Sequence, residues 1–405
     1  MATEIKELAD ELEQSEVEPL GPEVGEESSN DAIEDQIVKQ PFRVIYQTNN
    51  FFLPQIKDLI TGGEGVNLRP EYQRRLRWTT QQKSSLIESL LLNVPVPPVF
   101  FYENDLARYE VMDGQQRLNS IKEFLNNEFP LRGLQIISAL NGKSYARLPP
   151  KVKRSLDRAS ISAIVLLQES QGKLKKGSSD RVYELRRFVF ERLNTGGKRL
   201  TAQEIRNAVY GGEFNNLVVA LSRDSTFTRV WGIPPYVKTE FGDYYEDEQR
   251  QKNSLYRTMG DCQLVLRYFA LDNDSHIIGS LRSMLDRCME RNLDASPEQC
   301  AVWSDQYLNT LRLADDLFDG KPFSLHTTEG EYRPLAGIYD GVMVALGDVL
   351  ESSEKLRTRK KDVQRAYSAL VNARGQRGAL TGVASTAQDV KGRITQFRNL
   401  FADFV

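Results

Sequence analysis

Histidine and cysteine are scarce in this chain of 405 residues, which has two of the first (His276, His326) and three of the second (Cys262, Cys288, Cys300). Two separated histidines argue against a His-rich metal centre. An odd, scattered set of cysteines argues against a disulfide frame or zinc knuckle and for a reducing compartment. No apolar run approaches the roughly 18 residues of a membrane span. The opening MATEIKELADELEQ carries acids where a secretory signal has a basic and then an apolar stretch. The expectation is a soluble cytoplasmic protein without membrane contact. Hydrophobic residues at 40% and charged residues at 27% suit ordinary globular folding, and the length suits two or three domains. No internal repeat at a fixed period is present.

The net charge of -3 hides an uneven distribution, because residues 1–35 hold thirteen acids and one lysine while the rest holds 52 basic and 43 acidic residues. A like-charge block with few aromatics is expected to stay unfolded, so residues 1–38 read as a disordered acidic tail. The basic remainder is what an anionic partner would meet. The tail reads either as a solubilising segment or as a weak electrostatic competitor for nucleic acid on that surface.

Residues 42–59 read as a strand followed by a helix. The stretch from Arg69 to Trp78 is extended and basic. Thr79 or Thr80 then caps a helix with Leu86, Ile87, Leu90 and Leu91 on its apolar face. Pro95, Pro97 and Pro98 end it, Val99–Tyr102 is a buried strand, and a turn near Asn104 leads to the strand Tyr109–Met112. A helix follows Asp113-Gly114 at once, with Leu118, Ile121 and Leu125 inward, and Ile161–Leu167 is a further strand. Residues 171–180 read as a boundary loop. Beyond it the pattern is helical. Val182, Leu185, Phe188 and Val189 form one stripe, Thr201 to Glu204 is a capping box, and helical periodicity recurs around 254–271, 276–291, 297–318, 335–351, 360–373 and 386–403. Residues 224–251 read as a long irregular insert rich in aromatics.

The chemistry is concentrated in Tyr109-Glu110-Val111-Met112-Asp113-Gly114-Gln115-Gln116-Arg117-Leu118. A strand that turns directly into a helix presents first-turn N–H groups and the helix dipole to an anion. Arg117 can add a bidentate guanidinium to the same phosphate. Asp113 can bind a divalent cation or orient water, and Gln115 and Gln116 can touch phosphate or base. An ordinary Asp-Gly turn followed by a surface ion pair fits these residues too. Residues 351–405 carry eleven Lys or Arg against five acids, including Arg357, Arg359, Lys360 and Lys361. That run is either a solvated helix start or a sequence-independent contact with DNA phosphates. Trp231, Tyr236, Tyr244 and Tyr245 suit either surface packing or stacking on an extruded base.

Taken in order, Tyr72-Gln73-Arg74, Trp78, Ile87-Glu88-Ser89-Leu90-Leu91-Leu92, Pro95-Val96-Pro97-Pro98 and Asp113-Gly114-Gln115-Gln116-Arg117 resemble the N-terminal domain family of the GmrSD restriction endonucleases. That family also includes the N-terminal part of SspE-type defence proteins. Phe190-Glu191-Arg192-Leu193-Asn194-Thr195-Gly196-Gly197 with Leu200 to Ala208 resembles its second signature. The resemblance covers about residues 40–400. It implies an α+β chain: a ParB/sulfiredoxin-like α/β nucleotide-binding domain over 39–175 with the DGQQR motif, then a mainly α-helical domain over 176–405 for DNA or partner contact.

The resemblance also implies a subunit of a prokaryotic anti-phage, modification-dependent (type IV-like) restriction system. The subunit would bind and hydrolyse a nucleoside triphosphate such as GTP with Mg2+. Asp113, Gln116 and Arg117 would be catalytic, with Asp113 also the metal ligand. Gly114, Gln115, Arg74, Glu191 and Asn194 would bind the nucleotide, and Arg206 would add charge. Thr201 and Glu204 read as purely structural. Neither histidine sits in an HNH framework, so cleavage of foreign or modified DNA would fall to an HNH-type nuclease subunit, and self-association is compatible with this scheme. Two rival expectations are a switch or adaptor that binds nucleotide without turnover, and a ParB-like nuclease using Asp113 and Glu110 with a metal.

Overall fold

The computed structural model describes residues 2–16, 44–61, 65–68, 78–167, 179–193, 200–236, 248–326, 332–373, 380 and 386–405. The chain divides into two units, Val24–Arg199 and Met1–Glu23 with Leu200–Val405. The helix preceding Arg199 stays with the first unit, where a buried ion pair joins it to the sheet.

Helix α1 (Ala2–Gln14) belongs to the second unit. The first unit begins with β1 (Tyr46–Phe52), α2 (Leu53–Thr61), β2 (Val66–Asn67), α3 (Thr80–Leu91), β3 (Val99–Asp105) and β4 (Arg108–Asp113). It continues with α4 (Gln115–Leu125), α5 (Pro150–Asp157), β5 (Ser160–Leu166) and α6 (Ser179–Leu193). The five strands lie in the order β1-β5-β3-β4-β2. Strand β5 runs antiparallel to β1 and parallel to β3; β4 runs antiparallel to β3 and parallel to β2.

Local signals explain these elements. Thr79 is the N-cap of α3 and forms a capping box with Gln82. Leu86, Ile87 and Leu90 on α3 and Leu118, Ile121 and Leu125 on α4 are buried at helical spacing against Val99, Phe101 and Val111 of the sheet. Alternation along β4 turns Val111 to this core and Glu110 and Met112 to the opposite face.

The second unit is helical, as expected, with α7 (Ala202–Val209), α8 (Glu213–Leu221), α9 (Ser225–Val230), α10 (Glu248–Lys252), α11 (Ser254–Arg257) and α12 (Gly260–Leu271). After them come α13 (Leu281–Arg291), α14 (Pro297–Leu317), the hairpin β6 (Ser324–His326) and β7 (Tyr332–Pro334), α15 (Ala336–Asp348), α16 (Ser353–Thr358), α17 (Lys360–Val371) and α18 (Ala387–Ala402). Helix α12 is buried along its whole length and α15 nearly so, which makes them the centre of this unit. Cys262, Cys288 and Cys300 are all buried and none forms a disulfide, and burial pushes the Cys288 thiol up to about 12. Among the described residues no helix is long and apolar enough to cross a membrane.

Two expectations change here. Residues 2–14 of the supposed disordered tail form α1, with Leu8, Ala9 and Leu12 buried. Charge counting overlooked that these apolar residues recur at helical spacing, and that the following Glu16 has a buried cation to meet. Glu16 accepts hydrogen bonds from Arg206 Nη1 at 2.9 Å and from Gln263 Nε2 at 2.5 Å, and it also pairs with Arg206 Nη2. The rest of the expected tail, residues 17–38, lies outside the described residues. Residues 224–236, read as irregular, include α9, which Asp224 caps through the N–H groups of Thr226 and Phe227. Replacing Glu16 with alanine is expected to cost the helical unit about 1–3 kcal/mol in urea unfolding. Arg206 would keep Asp286 at 2.7 Å but lose its outer acceptor. A loss below about 0.5 kcal/mol would contradict this role for α1.

Candidate nucleotide site at the β4–α4 turn

Strand β4 ends at Asp113, and Gly114 makes the turn with φ 96° and ψ 9°. A Cβ at that position would lie 2.5 Å from Val99 Cγ1 and 3.0 Å from Arg117 Nη2, so the turn admits only glycine without displacement. Among the described residues no side chain caps α4. One turn into the helix, Arg117 reaches back to Asp113 Oδ2 at 2.7 Å and donates to the Pro98 carbonyl at 3.1 Å. Its Nε is buried and has no hydrogen-bond partner among the described residues. The Asp113 carboxylate remains 42% exposed beside the turn.

The two glutamines do something the sequence did not reveal. Gln115, buried, donates Nε2 to the Leu68 carbonyl at 2.5 Å, and Gln116 Oε1 accepts from the Trp78 N–H at 3.2 Å. They therefore tie both flanks of the basic segment 69–77 to the turn. Contact of their side chains with phosphate or base, as expected from composition, would require these bonds to break. Arg74 itself lies outside the described residues.

The remaining sequence candidates separate. Asn194 lies outside the described residues, and of Glu191 the structure gives only its helical backbone near the end of α6. Glu110 does not join Asp113. It faces the opposite side of the sheet, where its carboxylate accepts from Arg186 Nη2 at 2.6 Å and Asn104 Nδ2 at 2.9 Å. The paired-carboxylate metal site of the nuclease expectation is not assembled, because three residues along a strand reverse the face. Among the described residues no group of three or more potential ligands lies together to hold a metal.

Thr201 and Glu204 form a reciprocal capping box on α7, so the structural reading of that pair holds. Arg206 is 1% exposed within the helical unit, bound to Glu16 and Asp286, and is not open to a phosphate. Burial works against its charge, but the two carboxylates outweigh that and hold its pKa above the usual arginine value.

Within the basic run, Arg357 and Lys360 are paired with neighbouring acids. Arg357 binds Asp316 at 3.0 Å and Glu354 at 2.6 Å, and Lys360 binds Asp319 at 2.8 Å and Asp316 at 3.4 Å. Arg359 donates to the Asp403 carbonyl and sits 4.6 Å over the Phe404 ring. Lys361 is exposed. His276 is an ordinary helix-end residue 3.4 Å from Asp272, and the side chain of His326 lies outside the described residues. Trp231 is 1% exposed and stacks on Phe323 at 5.7 Å, so it belongs to the core and cannot act as a base platform. Tyr236 lies under Arg250 at 4.4 Å, and Tyr244 and Tyr245 lie outside the described residues.

Arg186 escaped the sequence reading, although a signal was present. It is a charge embedded in the apolar stripe Leu185–Phe190, and Glu110 is its counterpart within an apolar strand. Charges set inside two apolar patterns need each other when those patterns are buried.

Residues 56–211 match the family described as GmrSD restriction endonuclease, N-terminal domain. The match includes the β4–α4 turn and ends just after α7. No curated protein and no solved structure matches the chain.

Proposed function

Because residues 56–211 belong to the GmrSD restriction endonuclease N-terminal domain family, we propose that the chain is a nucleotide-controlled subunit of a prokaryotic anti-phage, modification-dependent restriction system. The β4–α4 turn binds a nucleoside triphosphate, GTP among the candidates, and the bound state governs DNA cleavage by an HNH-type partner. The observation that carries this reading is the unpartnered, buried Nε of Arg117 beside an uncapped helix start that only glycine can open. A guanidinium with an unpartnered donor and a helix start without a side-chain cap among the described residues are both features that suit a phosphate.

In this scheme the opening N–H groups of α4 donate to the phosphates, and Arg117 neutralises charge there. Gln115 and Gln116 hold the flanks of the segment containing Arg74 in place, and Arg74, Glu191 and Asn194 are assigned to the nucleotide by the family resemblance alone. A lone exposed carboxylate fits Mg2+, which keeps several waters and needs one or two carboxylates plus phosphate oxygens. Asp113 would hold it, and the ion would supply charge neutralisation. The Arg117–Asp113 pair at 2.7 Å favours a second reading as well, binding without turnover, because the carboxylate is already engaged. DNA contact falls to the basic remainder of the chain, including Arg359 and Lys361, more than to Arg357 and Lys360, which are paired with acids.

Phosphate release by the purified chain with Mg2+ and each of four ribonucleoside triphosphates tests the proposal. Release that disappears in Arg117→Ala supports turnover, whereas stoichiometric binding without release makes the chain a switch. Metal-dependent nicking by the chain alone, without nucleotide, would reject both.

A further inference from the structure

Strand β1 forms one edge of the five-stranded sheet, and β2, two residues long, forms the other. Edges of soluble sheets are usually blunted against further pairing by shortness, charge, proline or a bulge. Shortness protects β2. Strand β1 has none of these devices: its sequence YQTNNFF carries neither charge nor proline, and its register with β5 runs unbroken from Tyr46 to Phe52. Among the described residues no strand pairs with its outer edge.

The hydrogen-bond phase of β1 decides which groups that edge presents. The Leu167 N–H donates to the Ile45 carbonyl at 3.0 Å and the Leu53 N–H to the Ala159 carbonyl at 3.1 Å, both in the register that pairs Tyr46 with Leu166. Odd-numbered residues therefore turn their backbone groups to β5, and Tyr46, Thr48, Asn50 and Phe52 turn theirs outward. The outward Phe52 N–H donates to Gln55 Oε1 at 2.9 Å. Among the described residues no backbone bond of Thr48 or Asn50 crosses this edge. Side chains alternate with the same period. Phe51 packs on the core of the sheet, so Tyr46, Thr48, Asn50 and Phe52 share the opposite face, where Tyr46 is 61% and Phe52 50% exposed.

We propose that β1 pairs antiparallel with β1 of a second copy of this chain, about a two-fold axis at Asn49, joining two sheets into one. This register overlaps the whole of Tyr46–Phe52. It sets each Thr48 against Asn50 of the second copy, where the outward groups exchange both backbone bonds. It also sets each exposed Tyr46 against the second copy's exposed Phe52 on one face, an aromatic cross-strand pair formed twice. An uncharged strand meets its own copy without like-charge repulsion, and a two-fold contact closes at two chains. The pairing does not depend on the nucleotide reading.

Sedimentation velocity of the full chain over a concentration series tests this, with twice the chain mass expected at the upper end. Thr48→Pro removes an N–H that β5 does not use, and should weaken association at least about tenfold while far-ultraviolet dichroism stays unchanged. If that variant does not fold, Thr48→Lys, which sets like charges beside the axis on both copies, decides in its place. Cross-linking with oxidised glutathione reads the register, since the native cysteines are buried. Asn49→Cys brings two thiols to the axis with their Cα atoms about 4.5 Å apart, and should give a covalent dimer. Thr48→Cys separates its two thiols by a diagonal step of about 7–8 Å, and should cross-link at least about tenfold less. A wild type that stays monomeric, or a folded Thr48 variant that associates as the wild type does, overturns the pairing. Equal cross-linking of Asn49→Cys and Thr48→Cys overturns the two-fold at Asn49.

Discussion

Replacing Asp340 with alanine is expected to destabilise the helical unit by about 3–5 kcal/mol, the range for stripping a buried cation of its partner. Arg267 is fully buried and places both Nε, at 2.7 Å, and Nη2 on this one carboxylate. Its Nη1 has no hydrogen-bond partner among the described residues. Arg393, also buried, lies 3.6 Å from the same carboxylate. Burial, only partly offset by Asp340, holds the pKa of Arg393 below the usual arginine value, and the charge of Arg267 adds to that. Without Asp340 two cations of the α12–α15–α18 core would face each other with their shared anion gone. Urea unfolding followed by far-ultraviolet dichroism measures the loss. A change under about 1 kcal/mol would show that the Asp340 charge is dispensable.

Gly114→Ala is expected to cost the sheet unit about 2–4 kcal/mol, combining left-handed backbone strain with a forced displacement of Val99. The two contributions can be separated. Gly142 has a similar φ of 82°, but a Cβ there meets nothing within 4 Å, so Gly142→Ala carries the strain alone. Adding Val99→Ala to Gly114→Ala removes the atom 2.5 Å away and should recover part of the loss, less the cost of the cavity it leaves. Equal losses at Gly114 and Gly142 would mean that the turn has room to spare.

Much of the sheet unit was legible because its signals are local. Thr79 with Gln82, the prolines before Val99, and Asp113-Gly114 between a strand and a helix each fix a few residues by short-range chemistry. The same holds for the capping box at Thr201. What escaped depends on partners distant along the chain. Arg206 carries a family signature that suggests an exposed cation, yet Glu16, 190 residues away, and Asp286, 80 residues away, hold it in the core. Arg186 meets Glu110 across 76 residues. Gln115 and Gln116 resembled ligand contacts, and only the folded chain shows them bonded to the backbone at Leu68 and Trp78. The acids of residues 1–35 concealed a short amphipathic helix, because net charge records nothing of spacing.

The central claim is that the bend between Met112 and Leu118 takes a triphosphate. Calorimetric titration of the full chain with each ribonucleoside triphosphate in Mg2+, repeated on Arg117→Ala, addresses that directly. Saturable binding near one nucleotide per chain, weakened at least about tenfold in the variant, is the predicted result. No binding by the wild type, or equal binding by both proteins, would contradict it.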